Sequence, residues 1–202
     1  MALGARPDRV RAIVARWRLA GLAESGRIGP GPGWCWLTRA GMAAAGMRFP
    51  ARRPPLGRLA HIRAVLASRI TLEGGEAFGS GAAWWRSERR IRSAAARPAP
   101  GHVPDAEVHW PDVAGSPYPG ECWAVEAELT PKGTARTAGI MTGLLARTAD
   151  WEPGAAPGKV PRYDHVVYLC SAAALPAVRR AAAALHGPLA DRLEVLPAGA
   201  LL

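Results

Sequence analysis

Four residues between positions 105 and 132 have side chains that could hold a divalent cation and act on a phosphate. Asp105 follows a proline, Glu126 and Glu128 are two residues apart, and Lys132 comes shortly after them. Because side chains two apart on a strand point to one face, both glutamates are predicted to project together. Pairing with the strand that carries Asp105 would bring three carboxylates side by side. Such a group needs a neutralising cation, and hard oxygen ligands suit Mg²⁺ or Mn²⁺.

The apolar residues that alternate with the glutamates support this interpretation. Val125, Ala127 and Leu129 alternate with them, which predicts a strand with one apolar and one acidic face. Two alternatives stay open at this point. The glutamates could lie on a solvent-facing edge strand, and Asp105 could be an ordinary acid at the start of a turn or strand.

The surrounding chain alternates strands with helices. The spacing of apolar residues predicts helices over 56–73, 133–149 and 174–187, and strands over 102–110, 121–130, 162–171 and 192–196. Residues 82–93 are predicted to form a short helix or a helix-to-strand transition in which Glu88 is the only acid among four arginines. This order predicts an α/β domain over residues 56–202, with a mixed sheet flanked by helices.

A shorter basic segment comes first. Residues 7–25 are predicted to be a helix, since its apolar residues fall on one arc, and short strands are predicted at 27–28 and 34–37 around a Gly-Pro tip. Thr38 is predicted to cap the next helix. A helix followed by a hairpin is the end of a winged helix, so residues 1–50 are interpreted as a partial winged-helix segment whose two preceding helices are missing. The alternative is a packing helix with an irregular hairpin. The Pro/Arg-rich run 47–58 is the predicted boundary.

The charge of the chain favours a polyanionic partner. The net charge is +10, and residues 1–103 alone hold 18 arginines against five acids, or +13. A basic segment of this kind is typical of nucleic-acid binding, although a general preference for arginine is the alternative. No apolar run is long enough to cross a membrane, and the N-terminus lacks the apolar core of a signal peptide. The three cysteines are far apart and fit neither a disulfide framework nor a zinc site, so we expect a cytoplasmic protein.

With these elements in place, the chain resembles the PD-(D/E)XK nuclease superfamily. Asp105, after Pro104, matches the conserved aspartate of that motif, Glu126 matches the second acid, and Glu128 stands where a lysine is usual. Glu88 corresponds to an additional acid found in several members. The resemblance implies that Asp105, Glu126 and Glu128 bind Mg²⁺ or Mn²⁺. Either Lys132 substitutes for the motif lysine from the end of the strand, or no lysine is needed.

Most of the chain also resembles the replication-relaxation family of actinobacterial plasmids and integrative elements. The resemblance lies in the order and spacing of GWCWLTRAG, LAHIRAVLASR, WWRSERRIR, HVPDAEV, AVEAELTPKG and DHVVYLCS. It implies a winged helix followed by a nuclease-like domain, in a protein of a plasmid or other mobile element.

Together the resemblances imply a metal-dependent DNA endonuclease or nickase. Glu128 would bind a second metal or act as general base, Lys132 or Arg136 would stabilise negative charge, and Glu88 would assist. The expected DNA-contacting residues are Arg9, Arg11, Arg16, Arg18, Arg86, Arg89, Arg90 and Arg136. One alternative is a non-catalytic DNA-binding accessory factor in plasmid replication or transfer, and a further one is a transcriptional regulator. A homodimer is compatible with cleavage of a duplex.

Overall fold

The computed structural model describes residues 7–74, 83–94, 101–148 and 162–198. The chain divides into two compact units, Met1–Ile62 and Arg63–Leu202. The division falls within a helix, Leu59–Gly74, that begins immediately after the Pro/Arg-rich run. In the part of the chain that the structure describes, no helix is long and apolar enough to cross a membrane.

The first unit is a helix, a two-stranded hairpin and a second short helix. Its elements are α1 (Pro7–Leu19), β1 (Ala23–Gly26), β2 (Trp34–Leu37), α2 (Arg39–Ala44), a 3₁₀ turn (Leu56–Arg58) and the first turn of α3 (Leu59–Gly74). Strands β1 and β2 are antiparallel. The predicted cap is confirmed, because the Thr38 hydroxyl accepts a hydrogen bond of 3.1 Å from the Gly41 amide at the start of α2.

The predictions for residues 7–28 are wrong in two respects. Helix α1 ends at Leu19 rather than continuing to residue 25, and the first strand occupies Ala23–Gly26 rather than residues 27–28. Gly21 explains both differences. Its φ of 67° is left-handed, which stops the helix, and the Leu22 amide then bonds back to the Trp17 carbonyl. The chain is therefore extended again well before the Gly-Pro tip.

The second unit contains a five-stranded mixed sheet with helices, which confirms the predicted α/β class. The strands are β3 (Trp84–Ser87), β4 (Ala106–His109), β5 (Cys122–Glu128), β6 (His165–Cys170) and β7 (Leu193–Pro197), and they lie in that order across the sheet. The pairs β3–β4 and β4–β5 are antiparallel, and β5–β6 and β6–β7 are parallel. The helices are α4 (Glu88–Ala94), α5 (Thr134–Leu145) and α6 (Leu175–Ala182).

Both faces of the central strand β5 are buried. Val125 belongs to a cluster that includes Leu72 of α3, whereas Ala124 belongs to a second cluster that includes Leu144 of α5 and Val178 of α6. Alternate residues of a strand point to opposite faces, so the sheet lies between two apolar layers. The even-numbered residues of β5, Glu126 and Glu128 among them, share the face that α5 and α6 cover.

The largest error in the second unit concerns residues 82–93. The structure begins this stretch with strand β3 and follows it with α4, so a strand precedes the helix. The strand has only four residues and carries an arginine, so its sequence alone has too short an alternation to identify it. Helices α5 and α6 were predicted correctly in kind but end earlier, and a 3₁₀ segment, Gly187–Arg192, follows α6.

Two glycines within helices give a test of the first unit. A Cβ at Gly41 would collide with the backbone carbonyl of Leu22, whereas a Cβ at Gly139 in α5 meets nothing within 4 Å. We expect Gly41→Ala to lower the free energy of unfolding by about 1–3 kcal/mol, as overpacking does. Gly139→Ala should raise it by about 0.5–1 kcal/mol, since alanine favours a helix. Urea unfolding of both variants measures the difference. A Gly41→Ala protein as stable as the wild type would contradict this packing.

Candidate functional site

Strand register brings Asp105 and Glu126 together. Ala106 of β4 lies opposite Val125 of β5, so Asp105, one residue before β4, lies opposite Glu126. The Ala127 amide donates a hydrogen bond of 3.0 Å to the Asp105 carboxylate, which ties the two strands at this point. Residues opposite each other on paired strands share a face, so Asp105 lies on the same face as the two glutamates.

Glu126 and Glu128 are buried, and each faces a basic side chain. Both are only 6% exposed, on the central strand of the sheet. The Glu126 carboxylate lies 2.8 Å from Nε2 of His102, and the Glu128 carboxylate lies 2.5 Å from Nζ of Lys132. The alternative of a solvent-facing edge strand is therefore wrong. Lys132 does reach this group of acids from beyond the strand's end.

The charges of this group influence one another. Glu126 faces a histidine that is charged only when protonated, and Glu128 faces Lys132. The hydrogen bond that Glu126 accepts from His102 raises the pKa of His102, and the charges of Glu126 and Asp105 add to that effect. Burial raises the pKa of Glu126, and repulsion by Asp105 raises it further, while His102 acts in the opposite direction. The site therefore favours the uptake of positive charge.

Tyr168 lies beside the same carboxylates. It is the partner of Glu126 in the β5–β6 register, and its side chain is 2% exposed. Its hydroxyl makes no hydrogen bond to any of the residues that the structure describes. Burial raises the pKa of this hydroxyl, and the charges of Glu126 and Glu128 raise it further. No pattern of residues distinguishes Tyr168, because it lies within an apolar run that predicts a buried strand.

A fourth carboxylate, Glu107, lies on the same face but is fully satisfied. Its side chain is completely buried, and it accepts hydrogen bonds from Arg86 (3.1 Å), Arg162 (2.8 Å) and Tyr163 (2.9 Å), with His109 at 3.3 Å. Burial alone would raise the pKa of Glu107. Its hydrogen bond with His109 and the charge of Arg162 outweigh that effect and lower the pKa to about 2.

Sequence reasoning missed the Glu107 network, although one signal was present. Asp105, Glu107 and His109 follow one another at two-residue spacing, so a strand here must place all three on one face.

The Glu107 network changes the expected role of Arg86. Arg86 was expected to contact DNA, but its side chain is only 13% exposed and its guanidinium faces Glu107. We therefore leave Arg86 out of the DNA-contacting set.

The remaining predicted residues lie around this site or on the surface. Glu88 begins α4, its amide donates to the Asp105 carbonyl at 2.9 Å, and its carboxylate accepts from Arg92 at 2.9 Å. Arg89 and Arg90 on α4 and Arg136 on α5 are exposed. In the first unit Arg9, Arg11, Arg16 and Arg18 are exposed on α1, and Arg11 pairs with Asp8 at 3.1 Å.

Asp105, Glu126 and Glu128 do not have the geometry of a metal site in this structure. Within the described ranges, no group of three or more His, Cys, Asp or Glu residues has a geometry that could hold a metal ion. The reason is visible in the contacts above, since Asp105, Glu126 and Glu128 each turn towards a different donor. Binding of a cation would require at least some of these internal contacts to open.

Comparisons of the chain with protein-family models, with curated proteins and with solved structures gave no match. The two family resemblances seen in the sequence therefore remain predictions, and the function has to be argued from the site.

The Glu107 network predicts a large loss of stability when its charge is removed. Glu107→Gln leaves Arg86 and Arg162 buried around a neutral side chain, so the free energy of unfolding should fall by about 3–5 kcal/mol. Glu194→Gln, an exposed site on β7, is the matched control and should have little effect. Urea unfolding at pH 7 measures both. A Glu107→Gln protein as stable as the control would show that the network does not stabilise the fold.

The pH dependence of the same variant follows from the sign of the shift. The pKa of Glu107 is lowered from 4.5 to about 2 by folding, so its contribution is complete above about pH 4.5 and is lost as the pH falls towards 2. The wild type should therefore lose more stability than Glu107→Gln between those values. Parallel stability curves in that window would contradict the assignment.

Proposed function

We propose that the second unit is a metal-dependent phosphodiester hydrolase of the PD-(D/E)XK type that acts on DNA as an endonuclease or nickase. One observation carries the proposal. Asp105, Glu126 and Glu128 lie on one face of two neighbouring strands, and two of these three carboxylates are buried. Burying a carboxylate costs free energy unless other groups compensate its charge, and buried carboxylates are characteristic of sites that bind a cation.

The chemistry of the residues fits Mg²⁺ or Mn²⁺. The donors are carboxylate oxygens, which both ions prefer. The buried hydroxyl of Tyr168, on the same face of the sheet, has no hydrogen bond within the described residues and is a polar group that a hydrated ion could satisfy. Asp105 and Glu126 would hold the ion, with Glu128 as a further ligand or as the base. When bound, the ion would neutralise phosphate charge and lower the pKa of a water molecule.

The side chains of the site can then be given roles in hydrolysis. A water oxygen forms a bond to phosphorus as its proton passes to Glu128, which we assign as the base. The bond from phosphorus to the leaving sugar oxygen breaks, and that oxygen takes a proton from a solvent water. Lys132, whose ammonium group lies against Glu128, can stabilise the negative charge that develops on the phosphate. Lys132 thus supplies the charge that the motif lysine supplies in the superfamily.

DNA binding is proposed to use the basic first unit. Helix α1 exposes Arg9, Arg16 and Arg18, and the β1–β2 hairpin follows it, an order of elements like the end of a winged helix. Contacts of arginine with phosphates release counterions, so the affinity for DNA should fall steeply as salt concentration rises. The exposed arginines of the second unit, Arg89, Arg90 and Arg136, would add to the same effect.

A second candidate is a DNA-binding accessory factor of a plasmid or mobile element that has a nuclease-like fold but does not cleave. The contacts of the acids favour it, since Glu126 and Glu128 already have basic partners and Asp105 accepts a backbone hydrogen bond. In this case Lys132 and His102 take the place of a cation permanently. The two candidates differ in one observable, which is cleavage.

Cleavage should depend on Asp105 and on added metal. With supercoiled plasmid and Mg²⁺ or Mn²⁺, the purified protein should produce nicked or linear DNA, and EDTA should prevent it. Asp105→Asn can still accept the Ala127 hydrogen bond but loses the charge, so we expect cleavage to fall by about 100-fold or more. The matched control is Asp112→Asn, the same change at an exposed loop position. It should cleave like the wild type.

The outcomes separate the candidates. Cleavage by Asp105→Asn at the wild-type rate would contradict the site. A wild-type protein that binds DNA in a salt-dependent manner but cleaves none, with either metal, would favour the accessory factor over the hydrolase.

A further inference from the structure

We infer that Tyr168 is a positioning residue of the cation site, with its hydroxyl bonded to an oxygen of the hydrated divalent ion. The inference rests on the proposed function, because it assigns a residue to the same site. Neither resemblance gave Tyr168 a role, although the piece DHVVYLCS contains it, and the assignment comes from the surroundings of the side chain.

The location of Tyr168 is fixed by strand register. It lies next to Glu126 in the parallel pair β5–β6, so both side chains share a face of the sheet. Its ring belongs to the apolar cluster that contains Met141, Leu144 and Val178. The ring is thus held by packing, on the face of the sheet that also carries Glu126 and Glu128.

The hydroxyl is in an unfavourable state in this structure. It is buried and makes no hydrogen bond within the described residues. A buried polar group without a partner costs about 1–3 kcal/mol, and phenylalanine would fill the same space without that cost. The contrast with Tyr163 is informative, because the Tyr163 hydroxyl is equally enclosed but bonds to Glu107 at 2.9 Å.

The neighbouring acids do not accept this hydroxyl because they face elsewhere. Glu126 faces His102 and Glu128 faces Lys132. A divalent ion held by Asp105 and Glu126 would bring its own water molecules, since Mg²⁺ usually keeps several in proteins. Such a water offers the Tyr168 hydroxyl the partner that it lacks, and groups that orient metal ligands commonly contribute about 10–100-fold to metal affinity.

The test compares two tyrosine-to-phenylalanine variants of the full chain by thermal unfolding during a titration with Mn²⁺. For Tyr168→Phe we expect a Tm without Mn²⁺ equal to or above that of the wild type. The Mn²⁺ concentration at half-maximal stabilisation should rise about tenfold or more. Tyr163→Phe is the matched control. It loses the bond to Glu107, so its Tm without Mn²⁺ should be lower, while its Mn²⁺ dependence should match that of the wild type.

Each outcome has a distinct meaning. A lower Tm of Tyr168→Phe without Mn²⁺ would show that the hydroxyl is bonded within the fold and would overturn the inference. An unchanged Mn²⁺ dependence of Tyr168→Phe, with a clear response of the wild type, would also overturn it and leave the proposed function intact. A wild-type Tm that does not respond to Mn²⁺ would contradict the cation site, and the inference with it.

Discussion

Burial of carboxylates on one face of the β4–β5 pair is the constraint on which the second unit depends. Glu107 is fully buried, and Glu126 and Glu128 are nearly so. A charge removed from water costs several kcal/mol unless other groups compensate it. The compensating groups come from separate parts of the chain. Strand β3 contributes Arg86, and the residues before β6 contribute Arg162 and Tyr163. The order of the strands therefore does more than bury apolar side chains, since it assembles a charge network.

The two ends of this acidic face are compensated to different degrees. Around Glu107, two guanidinium groups and a phenol supply hydrogen bonds, and the pKa of the carboxyl is held at about 2. Around Glu126, burial and a neighbouring acid raise the pKa, and a buried hydroxyl has no partner in the described residues. The hydrogen bonds that Glu107 accepts are those of a structural network that stabilises the fold. At the Glu126 end, burial works against the carboxylate charge and the Tyr168 hydroxyl has no hydrogen bond within the described residues, which is why we propose the chemistry there.

The parts of this picture that the sequence predicted are those set by short-range periodicity. The acid-x-acid spacing put Glu126 and Glu128 on one face, and the apolar residues that alternate with them indicated a strand with one apolar and one acidic face. That helices bury the acidic face was not predicted. The long-range partners could not be predicted in the same way. Arg162 is 55 positions from Glu107 and Arg86 is 21 positions from it, and only the strand order brings them together. Arg86 was misjudged for that reason, because an arginine in a basic run resembles a surface residue until its strand partner is known. Tyr168 was missed because a tyrosine hydroxyl does not alter the apolar pattern of a strand, and the end of α1 was misplaced because the apolar arc gives no information on the φ of Gly21.

The most direct test of the proposed cation site is the location of a bound metal. Crystals of the full chain grown with Mn²⁺ would show the ion by its anomalous scattering. We expect a peak within about 2.0–2.6 Å of carboxylate oxygens of Asp105 and Glu126, the range of ligand distances for Mg²⁺ and Ca²⁺. Such a peak would also show whether His102 and Lys132 have moved from the positions that they hold beside Glu126 and Glu128. An anomalous map with no peak at these carboxylates, from crystals grown at saturating Mn²⁺, would contradict the proposed cation site.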